Sequence, residues 1–407
     1  MDGWKEITLG ELCVLRAGSV FKPHFQGKSE GEIPFIKVSD MNLSENHVYI
    51  RQANNWISEE MRAEMRAKTF PIGTTVFAKI GEALRQNRVR LLVRETIIDN
   101  NMMGAIPIRS VVDPKFLFYR LEDFDIASTA TGTALPYLTV STLAGSRFVI
   151  PPLHIQRRIA GTLSSYDDLI ENNHRRIQLL EETARSLYRE WFVHFRFPGH
   201  DKVKMVSSPL GSIPQGWEVS RLDAIAENFD RLRKPISKMQ RAKMQGEYPY
   251  YGAAKVFDYV NNFIFDGEYL LMAEDGSVIT PDRAPVLQLV NEKFWPNNHT
   301  HILRGKAPVS THFLYLGLSL VDISPYITGA AQPKITQENM NRILFFCGPT
   351  ELHRDFDRLV VPMIHGSQIL QRKNKNLRRT RDLLLPKLLS GGLDVSKFPD
   401  QPAEATA

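Results

Sequence analysis

Cysteine is nearly missing from this chain of 407 residues. Cys13 and Cys347 lie far apart and show no metal-ligand spacing. That excludes a disulfide framework and a zinc ribbon, and it makes a reducing cytoplasm the expected compartment. Uninterrupted apolar stretches of about 18 residues are absent too, and Met1-Asp2-Gly3-Trp4 offers no apolar signal core, so neither secretion nor a membrane span is expected. Catalytic signatures are lacking. There is no Gly-x-x-x-x-Gly-Lys-Ser/Thr phosphate cradle. There is no Asn/Asp-Pro-Pro-Tyr/Phe segment of the kind amino-methyltransferases carry, because Pro151-Pro152 stands between Ile150 and Leu153. Pro281-Asp282 is followed by Asn291-Glu292-Lys293, whose spacing is wrong for a nuclease. His299-Thr300-His301 has no third ligand nearby, so no metal is expected and the histidines read as surface or core residues.

What is present is ordinary for a folded protein with more than one domain: 43% hydrophobic and 24% charged residues, over a length too great for one core. A net charge of +6 is compatible with a polyanionic partner.

The chain also says something similar twice. Gly3-Trp4-Lys5-Glu6-Ile7 is answered by Gly216-Trp217-Glu218-Val219-Ser220, and Glu32-Ile33-Pro34-Phe35-Ile36 by Glu247-Tyr248-Pro249-Tyr250-Tyr251. Val76-Phe77-Ala78-Lys79-Ile80-Gly81 matches Leu271-Met272-Ala273-Glu274-Asp275-Gly276, and Asn100-Asn101 matches Asn297-Asn298. Gly132-Thr133-Ala134-Leu135-Pro136 matches Gly329-Ala330-Ala331-Gln332-Pro333, and each half closes in a long helical stretch. The constant order of weak matches marks an internal duplication, with loops of differing length on a shared scaffold.

Short β-rich runs separated by Gly, Pro, Asn and Asp, with helical pieces between them, predict mixed α and β structure over 1 to about 150 and again over about 213 to 347. From Pro152 the period changes. Ile155, Ile159, Leu163, Tyr166, Ile170, Asn173, Ile177, Leu180, Ala184, Leu187 and Trp191 form a stripe at coiled-coil spacing, which predicts a helix from about Pro152 to Phe195. Asn173 on that stripe reads either as a register-fixing polar residue or as a slip of the pattern. At an offset of 200, Ile159, Leu163, Ile170, Ile177 and Ala184 are answered by Leu359, Met363, Leu370, Leu377 and Leu384. Pro362 and Pro386 are expected to kink or end this second helix, which carries a basic face over Arg372 to Lys387. Two stripes in one chain are expected to pair. The expected organisation is α+β: a mixed α/β domain at 1–150, a linker and a second such domain at 198–347, helices at 151–197 and 348–392 forming an antiparallel coiled coil, and a tail at 393–407.

Residues able to bond base edges cluster in the loops. Arg and Lys suit guanine, Asn and Gln suit adenine. In the first half the candidates are Lys37, Ser39, Lys79, Arg85, Gln86, Asn87, Arg88 and Thr133, within a dense polar stretch from Lys79 to Arg90. In the second half they are Arg233, Lys234, Lys255, Ser277, Arg283, Gln332 and Lys334. A solvated surface loop is the competing reading for each of them.

The block Ile150-Pro151-Pro152-Leu153-His154-Ile155-Gln156-Arg157-Arg158-Ile159-Ala160 is similar to the "PPLxEQxxIA" start of the central conserved helix in specificity subunits of type I restriction–modification systems. Leu388-Leu389-Ser390-Gly391-Gly392-Leu393 resembles the family's closing "KLLSGxI". The resemblance spans essentially the whole chain. It departs at His154-Ile155, where the family has Glu before Gln, and at Gly348-Pro349-Thr350-Glu351-Leu352-His353, which lacks the double proline and the Gln. The resemblance implies two target recognition domains, each reading one half of a bipartite asymmetric site in double-stranded DNA, with the helices as spacer. It implies docking of two modification subunits that bind S-adenosylmethionine and methylate adenine, joined by restriction subunits using ATP and Mg. The chain itself would bind no cofactor and catalyse nothing. Two other readings stay open: the recognition portion of a fused or type II-like restriction–modification enzyme, and an interaction protein that binds modification subunits without reading DNA.

Overall fold

The computed structural model describes residues 3–132, 135–329 and 332–395. The chain forms two compact units: Met1–His174 with Arg372–Ala407, and Arg175–Gln371. Each long helix is therefore shared, one part going to each unit.

The first unit holds a five-stranded sheet in the order Cys13–Ala17, Met102–Pro107, Thr75–Ala78, Val89–Leu92, Tyr49–Ile50, and a three-stranded sheet of Trp56–Ile57, Ile33–Ile36 and Ile97–Ile98. Strand Lys5–Thr8 pairs antiparallel with Arg147–Ile150 just before the long helix begins. The second unit repeats this plan. Glu218–Arg221 pairs with Leu344–Cys347, and a six-stranded sheet runs Ala226–Asn228, Thr300–Gly305, Phe265–Ala273, Leu287–Pro296, Gln245–Tyr251, Val256–Val260. The Gly-Trp openings explain themselves here. Gly3 and Gly216 both have positive φ, 83° and 86°, a conformation that costs glycine little. Trp217 is buried against Phe192, Phe195 and Phe197, and Trp4 packs on the first unit's core.

The first long helix spans Leu153–Tyr188 and continues as a π-helical turn, Arg189–Val193. Ile159, Leu163, Ile170, Asn173, Ile177, Ala184 and Trp191 of the predicted stripe are buried. The second, Thr350–Leu389, is unbroken through Pro362 and Pro386, contrary to the expectation of a kink or stop. Both prolines are exposed, as are Arg358 and Asp382 one turn earlier. The carbonyls that lose their helical partner thus face solvent, while packing on the other face holds the helix.

The offset of 200 between the helices is also corrected. Leu359 is 45% exposed, and Met363, Leu377 and Leu384 are only partly covered; Leu370 alone of that set is fully buried. The buried positions His353, Phe356, Val360, Ser367, Leu370, Asn374 and Leu388 correspond to Gln156, Ile159, Leu163, Ile170, Asn173, Ile177 and Trp191 at an offset of 197. Three of these seven positions are polar, so a count of leucines selects the wrong register.

Within each unit the helix segments run antiparallel. In the first, the buried Asn173 amide donates to Asn374 Oδ1 at 2.8 Å, and Asn374 donates to the Ile170 carbonyl. This supports the register-fixing reading of Asn173. In the second unit, Ser367 donates to Glu181 at 2.7 Å. The helices also bind their recognition domain through polar bonds. Tyr119 donates to Asp167 at 2.6 Å, Tyr49 to Asp168 at 2.9 Å, and Arg381 to both oxygens of Glu122. Arg381 therefore leaves the expected basic face and serves as an internal clamp.

At the corresponding helix starts, one side chain differs in kind. Gln156 donates to the carbonyls of Val111 and Pro151 and accepts from Asp113 N. His353 is buried among Phe192 and Phe313 with neither ring nitrogen hydrogen-bonded among the described residues. Burial holds its pKa down, at about 4.

Two predictions follow from these contacts. Asn374→Leu strands the buried Asn173 amide and is expected to cost about 1–3 kcal/mol in urea unfolding. Adding Asn173→Leu recovers most of that loss; a double variant no better than the single would contradict the paired-amide account. The second concerns pH. With its folded pKa below the unfolded value of 6.5, His353 leaves stability intact above pH 6.5 and removes it as pH falls toward 4. His353→Gln is expected to gain about 1 kcal/mol at pH 7.5 and more at pH 5, by denaturation at both. Equal differences at the two values would contradict this.

Candidate nucleic-acid interface

In the first unit, strand Thr75–Ala78 runs into Lys79, which is held by its backbone. Its N–H donates to the Asn101 carbonyl and its carbonyl accepts from Leu138 N, both at 2.9 Å. Gly81 N donates to the Pro136 carbonyl, and the loop closes on itself by a Thr131–Tyr137 bridge. The Asp99 carboxylate accepts from Asn101 N, an Asx turn, and Asp99 N donates to the Ile36 carbonyl. Lys37 follows that strand, its ammonium donating to Gln26 at 2.7 Å, and Ser39 is exposed beside it.

The second unit repeats the same bonds. Glu274 N donates to the His299 carbonyl and its carbonyl accepts from Ile335 N; Gly276 N donates to Pro333; Thr328 and Lys334 bridge. Asn297 Oδ1 accepts from His299 N, and Asn297 N donates to Tyr251. Asp99 and Asn101 thus answer Asn297 and His299, a slip of one residue from the Asn100-Asn101 and Asn297-Asn298 match. The acceptor side chain at the start of the turn sets the correspondence, and Asp serves there as well as Asn.

Several sequence candidates line these edges. Arg85, Gln86 and Arg88 are exposed on and after the short helix Gly81–Arg85. Lys234, Lys255, Ser277, Arg283, Gln332 and Lys334 are exposed in the second unit. Lys255 sits in the turn closed by Gly252, and Arg283 pairs with Asp322 at 3.1 Å. Thr133 lies outside the described residues.

Others are committed to the scaffold. Asn87 has φ 47°, its amide donates to the carbonyls of Glu122 and Phe124, and its oxygen accepts from Ile126 N. Arg90 bonds the carbonyls of Asn46, Val89 and Met41, and burial brings its pKa down to about 10. Arg233 donates to Glu274 at 2.6 Å and to the carbonyls of Asn298 and Thr300. Burial pushes the Glu274 pKa up, but Arg233, His301 and Lys334 outweigh it and hold it below its usual range. The histidines read as surface or core are accounted for: His301 contacts Asp230 and the Ile335 carbonyl, and His299 contacts Asp275.

Tyr137 and Leu135, 48% and 64% exposed, share the first edge. Leu135 lies within the repeated Gly-to-Pro block and Tyr137 directly after it, which was the available signal; residue type alone does not mark them. Tyr250 is buried and Tyr251 donates to Glu292, so these tyrosines pack the strand. Among the described residues, no helix is long and apolar enough to cross a membrane.

The family described as type I restriction modification DNA specificity domain matches residues 1–182 and 214–345. The MjaIX type I restriction enzyme specificity subunit of Methanocaldococcus jannaschii is 26% identical, over 97% of this chain and 94% of that protein. A putative type I specificity subunit of Haemophilus influenzae is 35% identical over 33% of this chain and 34% of its own. In fold, the chain is similar to the crystal structure of the type I S subunit from M. genitalium, with a TM-score of 0.65 at 16% identity, covering 98% and 97% of the two chains. With the family matched twice, at the two halves that the hydrogen bonds show to be built alike, this chain belongs to the type I restriction–modification specificity subunits.

Proposed function

We propose that the two loop edges are the base-reading surfaces, each contacting one half of a bipartite asymmetric site in double-stranded DNA. The observation that carries this is a backbone scaffold conserved bond for bond between the halves while the side chains it presents differ: Lys79 against Glu274, Tyr137 against Lys334. Equal frames with unequal chemistry suit two different sequences. In the first unit Lys37, Lys79, Arg85, Gln86 and Arg88 meet phosphates and base edges. In the second Lys234, Lys255, Ser277, Gln332 and Lys334 do so, with Glu274 and Arg233 holding the loops. The paired helices act as spacer and docking element for two modification subunits. S-adenosylmethionine then belongs to those subunits and ATP and Mg to restriction subunits, none of them bound by this chain.

Lys79→Ala with Arg85→Ala and Arg88→Ala, in a complex reconstituted with modification subunits, is expected to weaken DNA binding. It should also lower the slope of log affinity against log salt by about 0.9 for each phosphate contact removed. Exchange of residues 1–150 for another recognition domain should alter one half-site only. An unchanged salt slope would remove the first edge from the interface, and a change in both half-sites would refute independent reading. Methyl transfer from labelled S-adenosylmethionine by the chain alone would favour the fused-enzyme reading instead.

A further inference from the structure

Away from the reading edge, strand Phe265–Ala273 carries Glu268 beneath two histidines from separate helices. His312 comes from helix Thr311–Leu318 and His365 from the second long helix. Oε2 of Glu268 lies 3.2 Å from Nε2 of His312 and 3.4 Å from Nε2 of His365. The imidazole rings are 5.1 Å apart at 69°. One nitrogen from each histidine and one glutamate oxygen all lie within 4.8 Å of one another.

The decisive atom is Nε2 of His312. Its side chain is 5% exposed, yet this nitrogen makes no hydrogen bond. The neighbouring carboxylate oxygen is close enough but off the donor axis. An unpaired buried nitrogen has lost its hydration without a replacement partner, so a ligand in the space that it and Glu268 both face would satisfy it. Donor atoms around tetrahedral zinc stand about 3.3 Å apart, from bonds of about 2.0–2.1 Å. The two distances fit the edges of such a polyhedron.

We propose that Glu268, His312 and His365 bind one divalent transition-metal ion of the zinc class, tying the second long helix to the sheet and to helix Thr311–Leu318. Two imidazoles and a carboxylate leave a fourth position for water. Arg304 and Asp357 are the other charged groups near Glu268. The sequence expectation of no metal rested on spacing, and these three ligands share no spacing motif.

The test uses tag-free, full-length chain stripped with a chelator and titrated with Co²⁺ and then Zn²⁺. Expected are uptake of one equivalent at micromolar cation, tetrahedral Co²⁺ absorption bands displaced by Zn²⁺, and a rise in Tm that saturates at one equivalent. His365→Ala, at a half-exposed position that spares folding, should abolish all three; Glu268→Gln should weaken uptake at least tenfold. His299→Ala, outside the cluster, should change none of them. Absence of Co²⁺ bands, or uptake indifferent to His365→Ala, overturns the site. Half-site selection in the reconstituted complex reads the DNA proposal separately.

Discussion

Each unit is closed by side chains from segments that lie far apart in the sequence, and that seam constrains the rest. Leu385, Leu388 and Leu389 of the second long helix share one core with Ile159 and Leu163 of the first. Ala184 and Tyr188 share the other with Phe356 and Val360. Apolar burial supplies the attraction but specifies no register. Register comes from groups that pair only one way: the Asn173–Asn374 amides and the Arg381 clamp on Glu122. Under the 197 correspondence, the counterpart of the asparagine layer is Ile177 with Leu370. Among the described residues the asparagine layer is therefore not repeated in the second unit, and a shifted alignment would bury an unpaired amide.

Much of this was legible in the sequence. The duplicated openings, the strand blocks and most of the first helical stripe appear as read, because apolar periodicity and glycine turns are local signals; Ile155, Tyr166, Leu180 and Leu187 of that stripe are only partly buried. The second helix was misread where its buried face is polar: Ser367, Asn374 and Arg381 look like solvent-facing residues until their partners are known, and His353 until its aromatic surroundings are. The prolines misled for a related reason, since their effect depends on whether the freed carbonyl reaches water.

The loop edges divide in the same way. Residue type drew attention to Asn87, Arg90 and Arg233, yet their hydrogen bonds to backbone carbonyls make them supports. Both guanidinium and amide groups satisfy buried carbonyls as readily as base edges, so composition could not separate the two uses. What distinguishes Arg85, Gln86 and Arg88 is exposure beside a rigid turn, a property of the folded chain.

The division of the helices also orders events in time. The second unit is a continuous stretch of chain, Arg175–Gln371, and has all its parts once that stretch leaves the ribosome. The first unit draws its final strip from Arg372 onward. Its recognition domain, although made first, lacks Leu385, Leu388 and Leu389 of its core until that strip is made, so the half synthesised earliest is completed after the other.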